Sequence, residues 1–490
     1  MNKLIFLLIL KALFVMGFIV FSDVALAPDE AQYWTWSQSL DWGYYSKPPG
    51  IAWQIFLTTH IFGNTELGVR FGAILLAFFL GLAVYRLGKN AGLSERACFW
   101  GAIIFAFSPL GMYLSFAATT DCGMILAIVL ASGVVVKGLQ EKKSPNYPLM
   151  GFWLLVGALY KWTAFIFYPF VFLFLIFFPW MRFSGLIQAL LISLCALLPT
   201  LYWNATHDFA TFKHVFYTVY HQSNASKGGN FFSFLAVQAA LFSPLYFLLF
   251  LIALYKNLNN KKRAALLFCA VFSSGFLIYL ILSLFKKIQP NWAAYFYPTG
   301  MILIAWYTLE RMKRGAYVLY GATLLSLIFS FGVFFIPFLP IPYKWNPFRQ
   351  SLGWQQLGGA LDKVGYESER DFLFSDTYQM TSLLSFYGRE QKRAYFFNLQ
   401  GNRKNQFSYW PQLSTRKGER GFFVIAENVE AALLPWYEEH YLKQLSPYCE
   451  KVEYMGSAPL FTVKGRVVKH ALIFRCEGYG GKVPPDPEKY

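Results

Sequence analysis

Residues 121–138 read DCGMILAIVLASGVVVKG. An acid opens the run, a lysine stands next to its end, and everything between is apolar or small. That is close to the ~20 residues an α-helix needs to cross a bilayer. Asp121 follows Thr119-Thr120, so it also suits a helix N-cap region, where a carboxylate meets the positive end of the helix dipole. Similar runs recur at about 4–22, 68–87, 97–115, 149–160, 163–180, 184–203, 231–255, 264–285, 292–309 and 316–339. With 121–138 they make about eleven expected spans, of which 149–160 is short. The pattern predicts a polytopic α-helical membrane protein over 1–340.

The whole-chain composition agrees. Of 490 residues, 56% are hydrophobic and 14% charged, with 52 Phe. Average soluble domains carry roughly 25% charged residues, so this chain lacks the polar surface a soluble globule needs. Disorder and a disulfide-stapled miniprotein are excluded on the same ground. The net charge is +17, which in a soluble chain would suggest nucleic acid. In a membrane protein it first reports sidedness.

With the N-terminus inside, the inside loops hold 15 Lys and Arg and the outside loops before residue 340 hold seven. Of ten acids in the same stretch, only Glu95, Glu141 and Glu310 fall inside. Residues 341–490 then form an external soluble domain. Its short β-rich runs at Asp371–Phe374, Ala394–Phe397, Gly421–Ile425 and Ala471–Phe474 predict a mixed α/β fold. Ala25-Leu26-Ala27 resembles a signal-peptidase site, but the preceding apolar run is long and interrupted by Lys11; Asp29 emerges outside on either reading. Cys98, Cys122, Cys195 and Cys269 lie in or near spans and read as packing. Cys449 and Cys476 lie in the tail and could pair in an oxidising compartment.

The first external loop, 23–67, is too long for a plain connector. It contains PDEAQYWTWSQSLDWGYYSKPPG, with Asp29 and Glu30 just past the first span and Lys47 ahead of two prolines that stiffen its turn. Tyr33, Tyr45 and the tryptophans between suit the membrane–water boundary, and an ordinary aromatic belt would look similar. Lys161 interrupts two apolar runs, a costly placement unless it snorkels or meets an acid. After Trp203-Asn204 come His207, Asp208, Lys213, His214 and His221, which could hold a metal or shuttle protons but equally suit an interfacial amphipathic helix. Lys286 and Lys287 precede Pro290-Asn291-Trp292, where they could grip a phosphate or meet lipid headgroups. The chain lacks a GxxxxGK[ST] loop, a GxSxG elbow and an HExxH pair. Its inside loops are too short for a nucleotide-binding domain, so any donor arrives in the membrane or from outside.

In order, Asp29-Glu30, Lys47-Pro48-Pro49-Gly50, Thr120-Asp121, Lys161, Trp203-Asn204 and Pro290-Asn291-Trp292 resemble the family 39, dolichyl-phosphate-mannose-protein-mannosyltransferase-like (PMT-like) enzymes. The bacterial lipid A aminoarabinose transferases and related lipid A glycosyltransferases are nearest in character. The resemblance continues through Asn346-Pro347-Phe348, Leu352-Gly353-Trp354, Ser375-Asp376-Thr377-Tyr378, Ser385-Phe386-Tyr387, and Asn405-Gln406-Phe407 with Trp410. It implies a GT-C membrane fold in a bacterial inner membrane, with the active site and C-terminal domain on the periplasmic side. It also implies transfer of a sugar from a polyprenyl (undecaprenyl) phosphate donor to lipid A or another envelope glycolipid. Protein O-mannosylation and a non-catalytic lipid-linked-sugar flippase are the alternatives. On this reading Asp29 and Glu30 are catalytic, and Lys47, Lys286 and Lys287 bind the donor phosphate. Tyr33, Tyr45, Asp121, Lys161, Asn204, His207 and Asn291 bind substrate. The pattern demands no cofactor and leaves room for a divalent metal. One departure is Ser46, where aminoarabinose transferases usually carry Glu.

Overall fold

The computed structural model describes residues 1–225, 228–258, 263–428 and 431–485. Lys227, Lys261 and Lys262, counted above for sidedness, lie outside the described residues. Every expected apolar run is helical, but the helices are not eleven straight rods. Among the described residues five are long and apolar enough to cross a membrane alone. Three of these are α1 (Asn2–Phe21), α4 (Glu66–Asn90) and α7 (Thr120–Glu141); the other two span Ala264–Leu282 and Gly315–Phe338. Three further runs are pairs broken by a bend: α5 with α6 (Glu95–Ala106, Pro109–Phe116) by 61°, Phe183–Leu194 with Leu197–Thr206 by 42°, and Phe231–Phe242 with Pro244–Asn257 by 96°. Among the described residues this allows up to eight spans. Proline explains two of the breaks, since Pro109 and Pro244 each open the second helix of a pair and cannot donate back into the first.

The loop 23–67 folds into two short helices, α2 (Pro28–Ser37) and α3 (Gly50–Phe62). The tail carries a five-stranded sheet in the order β2-β1-β3-β5-β4. Its strands are β1 (Asp371–Ser375), β2 (Tyr395–Phe396), β3 (Arg420–Glu427), β4 (Cys449–Val463) and β5 (Arg466–Tyr479). β1 pairs parallel with both β2 and β3, and the β4–β5 hairpin closes the sheet antiparallel.

Loop and tail share one core. Tyr33, Trp34 and Trp36 of α2 pack with Met380, Leu383 and Phe386 of the tail helix Tyr378–Tyr387. Trp34 meets the edge of Phe386 at 4.9 Å. The Tyr387 hydroxyl accepts from the Leu26 backbone N–H at 2.6 Å and donates to Glu66 at 3.0 Å. At the other end Leu352 forms a β-bridge with Val24, and the Leu352 carbonyl accepts from Lys469 Nζ at 2.8 Å. The loop is therefore clamped from above.

Cys449 and Cys476 form a disulfide across 27 positions of sequence. A cross-link of that span restricts the unfolded chain by about 3–4 kcal/mol in the loop-entropy account. Cys476→Ser, or reduction, is expected to lower the melting temperature of the tail by several degrees. An unchanged melt would show that the hairpin does not need the bond.

Candidate active site

The site begins at the elbow between α1 and α2. Pro28 takes the first helical position of α2, and Glu30 reaches back to accept from the Ala27 N–H at 2.9 Å, a capping arrangement. Glu30 does more than cap. Its Oε1 accepts from Arg70 Nε at 3.0 Å and from the Ala118 N–H at 2.9 Å, and its Oε2 from Arg70 Nη2 at 2.7 Å. Arg70 also donates to the carbonyls of Val24 (3.1 Å) and Ala25 (2.8 Å) and lies over the Phe116 ring at 4.2 Å. The pair is buried, with side-chain exposures of 0% and 4%. Glu30, expected as a second catalytic acid, thus has both oxygens taken by four donors, leaving no free face for substrate.

Asp29, the preceding residue, is open to solvent on one side. The protein crowding its remaining sides raises its pKa above the ordinary carboxylate value. The Lys47 charge opposes that rise, neighbouring Glu30 adds to it, and a hydrogen bond from the Tyr378 hydroxyl opposes it. Tyr33, one turn along α2, is buried beside Asp29, Asp121 and Tyr378.

Lys47 is delivered by a tight hairpin. The Tyr44 N–H donates to the Lys47 carbonyl at 3.1 Å, and the Lys47 N–H returns to Tyr44 at 3.4 Å. Pro48 and Pro49 then lead into α3. Gly50 starts that helix against the Leu159 carbonyl, where a Cβ would stand 2.6 Å from the oxygen. Only glycine allows that approach, and it brings the Lys-Pro-Pro-Gly turn beside Lys161. Burial lowers the Lys47 pKa, as does the like charge of Lys161; Asp121 and Asp29 work against the shift, and Arg403 adds to it.

Asp121 stands at the first turn of α7. Lys161 Nζ donates to its Oδ1 at 2.7 Å, and Asn291 Nδ2 donates to its Oδ2 at 2.7 Å. These three expected residues come from three separate apolar runs and converge on one carboxylate. Asn291 is aimed by its neighbours: Asn230 makes paired 2.9 Å hydrogen bonds to Ile288, and Gln238 donates to the Pro290 carbonyl at 3.1 Å.

Tyr45, Asn204 and His207 form an adjoining wall. The Asn204 amide is consumed by Thr200 and Thr211, and Thr211 donates to the Tyr44 carbonyl at 3.3 Å. The His207 ring stacks on Trp203 at 4.2 Å. The Tyr45 N–H donates to Gln406 of the tail at 2.7 Å. Asn204 therefore braces the Lys47 hairpin from beneath and presents no free amide to a ligand. Lys286 and Lys287 are exposed in the turn after Phe276–Leu282, and neither is among the charges that act most on Asp29 or Lys47. Among the described residues no three His, Cys, Asp or Glu side chains gather to hold a metal ion.

Three site residues were not anticipated. Arg70 did carry a signal, as a cation inside an apolar run. Tyr378 lay in a quoted tail motif without an assigned role. Arg403 carried no signal, being one exposed base among the tail's 20.

The sequence profile described as dolichyl-phosphate-mannose-protein mannosyltransferase matches residues 46–203. The lipid A galacturonosyltransferase RgtD of Rhizobium johnstonii is 27% identical over 369 residues, covering 73% of this chain and 76% of its own. The structure superposes on ArnT from Cupriavidus metallidurans in the apo state with a TM-score of 0.66 at 14% identity, covering 96% of this chain and 98% of that one. The undecaprenyl phosphate-bound form of the same protein gives 0.66 at 13% identity, covering 95% and 97%. At that identity the structural likeness establishes the fold.

Proposed function

We propose that this chain, a PMT-like glycosyltransferase of GT-C fold, moves a sugar from a polyprenyl phosphate donor onto lipid A or a related envelope glycolipid on the outer side of the bacterial inner membrane. The observation that carries the reading is the placement of Asp29 and Lys47. The two are close enough to perturb each other's protonation and lie beside the Asp121–Lys161–Asn291 network at the head of an apolar helical bundle. The apolar helices offer a prenyl chain a solvent of its own kind.

The reaction is a single displacement at the anomeric carbon. As the glycosidic bond to phosphate breaks, the electron pair moves onto the phosphate oxygen, and the leaving group gains about one negative charge. A cation held in place before the step stabilises that change, because no solvent must reorganise. Lys47 fills this role. Asp29 takes the proton of an acceptor hydroxyl. An ionised acceptor phosphate would need no base, and Asp29 would then orient it. Asp121, tied by Lys161 and Asn291, forms the polar wall for the sugar, and Glu30 with Arg70 positions Asp29. The tail disulfide is consistent with an oxidising compartment.

Mass spectrometry of lipid A and of glycoproteins from cells with and without the gene tests the acceptor. A one-sugar mass difference in the lipid A fraction is expected. A difference confined to glycoproteins would overturn the lipid acceptor, and none in either fraction would overturn the transferase reading in this envelope.

A further inference from the structure

Two further cations, Lys161 and Arg403, act on Lys47. Lys161 is neutralised by Asp121, whereas Lys47 and Arg403 bear on each other as like charges. Arg403 is exposed and enters no ion pair among the described residues. It belongs to the tail, on the loop that follows β2. Like charges brought close together repel, and an anion settling between them relieves that repulsion.

The loop that carries Arg403 is fixed at both ends. Asn398 and Asn402 exchange hydrogen bonds, from the Asn402 N–H at 2.8 Å and to the Asn402 carbonyl at 2.7 Å. Asn402 Nδ2 donates to the Asp376 carbonyl at the end of β1 at 3.3 Å. On the far side Asn405 accepts from the Phe407 N–H at 2.9 Å. Gln406 accepts from Tyr45, two residues before Lys47. Arg403 is thus suspended between a tail strand and the hairpin that presents Lys47.

The sheet topology gives a second reason for a ligand here. β1 has parallel neighbours on both sides, and the chain leaves it through the helix Tyr378–Tyr387. Open sheets of this kind bind ligands in the crevice beyond the strand ends, where successive connections diverge. Tyr378 opens that helix, and Arg403 lies in the loop after β2. Both act on the membrane-side pair: Tyr378 bonds Asp29, and Arg403 lies near Lys47 and Tyr378. Residues of the tail thus act on both Asp29 and Lys47.

We infer that Arg403 is the second cation on the departing polyprenyl phosphate, so that the external domain completes the active site. This rests on the polyprenyl phosphate donor proposed above. The phosphodiester carries one negative charge before the step and, as a monoester, about two after it. A planar guanidinium presents paired N–H donors to two phosphate oxygens, which a lone ammonium cannot do. Arg403 takes the place that the sequence pattern assigned to Lys286 and Lys287.

The test uses the full-length protein in nanodiscs with undecaprenyl phosphate and, separately, undecaprenol as probes. Arg403→Ala is expected to weaken undecaprenyl phosphate binding by about tenfold or more, the usual scale for a charge-assisted hydrogen bond, and to leave undecaprenol binding unchanged. Arg403→Lys should fall between, and Lys451→Ala on β4 should match wild type. Equal loss of both lipids in Arg403→Ala would mean a collapsed loop and overturn the assignment, as would wild-type affinity for the phosphate. Wild-type protein that fails to prefer undecaprenyl phosphate over undecaprenol would overturn the donor reading itself.

Discussion

Arg70→Met is expected to destabilise the folded protein by about 3–5 kcal/mol, the cost of stranding one member of a buried ion pair. The change removes the bidentate partner of Glu30 and the donors to Val24 and Ala25 in one step. Glu30 would keep only two backbone N–H groups, from Ala27 and Ala118. Glu30→Gln strands the guanidinium instead. The double variant Glu30→Gln, Arg70→Met removes both charges, so its loss should be smaller than the sum of the two single losses. Thermal melts in detergent measure all three. Singles that melt like wild type would show that this elbow does not hold the fold. Residual folded Arg70→Met should also transfer poorly, because Asp29 directly precedes Glu30, the residue Arg70 holds.

The parts of the site readable in advance are those that broke a pattern. Asp121, Lys161 and Asn291 each stand at the edge of an apolar run, where a polar group is costly without a partner, and the structure supplies the partners from each other. Lys47 was marked by the prolines behind it, and the role of Gly50 in bringing that turn to Leu159 completes the reason. Arg403 could not be marked, because an exposed base in a charged tail departs from no local rule. Lys286 and Lys287 drew attention for their charge, yet the group that faces inward from that turn is the uncharged Asn291. The helices teach a similar lesson. Hydropathy reports the length of an apolar run and not its direction, so the 96° break before Pro244 leaves no mark in hydropathy, and only the proline points to it. In the tail, four strands fell on β-rich runs, while β4 did not. Its burial pattern is mixed, as befits an edge strand with one partner. The union of α2 with the tail helix was unreadable too. Each helix alone carries an ordinary apolar face, and only the fold shows that the two faces cover each other.

The largest effect on turnover is expected from Asp29 and Lys47, whose charges act on each other. Lys47→Ala should lower kcat by about 10²–10³, the scale for losing one preorganised group at a developing charge. Asp29→Asn should lower it by about 10²–10⁴ if the acceptor is a hydroxyl. The pH profile separates the two roles. Asp29 must be deprotonated to accept a proton, and its pKa lies above the ordinary carboxylate value. The acid limb should therefore lie higher than for a free carboxylate, with the rate climbing as pH rises through it. Lys47 must be charged, and its pKa lies below the ordinary lysine value. The alkaline limb should come early, with the rate falling as pH rises through it. The wild-type bell is thus narrower on both sides than two unperturbed groups would give. Asp29→Asn should erase the acid limb, and Lys47→Ala the alkaline one. Labelled undecaprenyl phosphate sugar supplied to membranes at matched expression provides the assay. Undiminished transfer by both variants would remove these residues from the chemistry. An Asp29→Asn enzyme that keeps most of its rate while Lys47→Ala fails would identify the acceptor as an oxygen already ionised, a phosphate, since such a nucleophile has no proton for Asp29 to take.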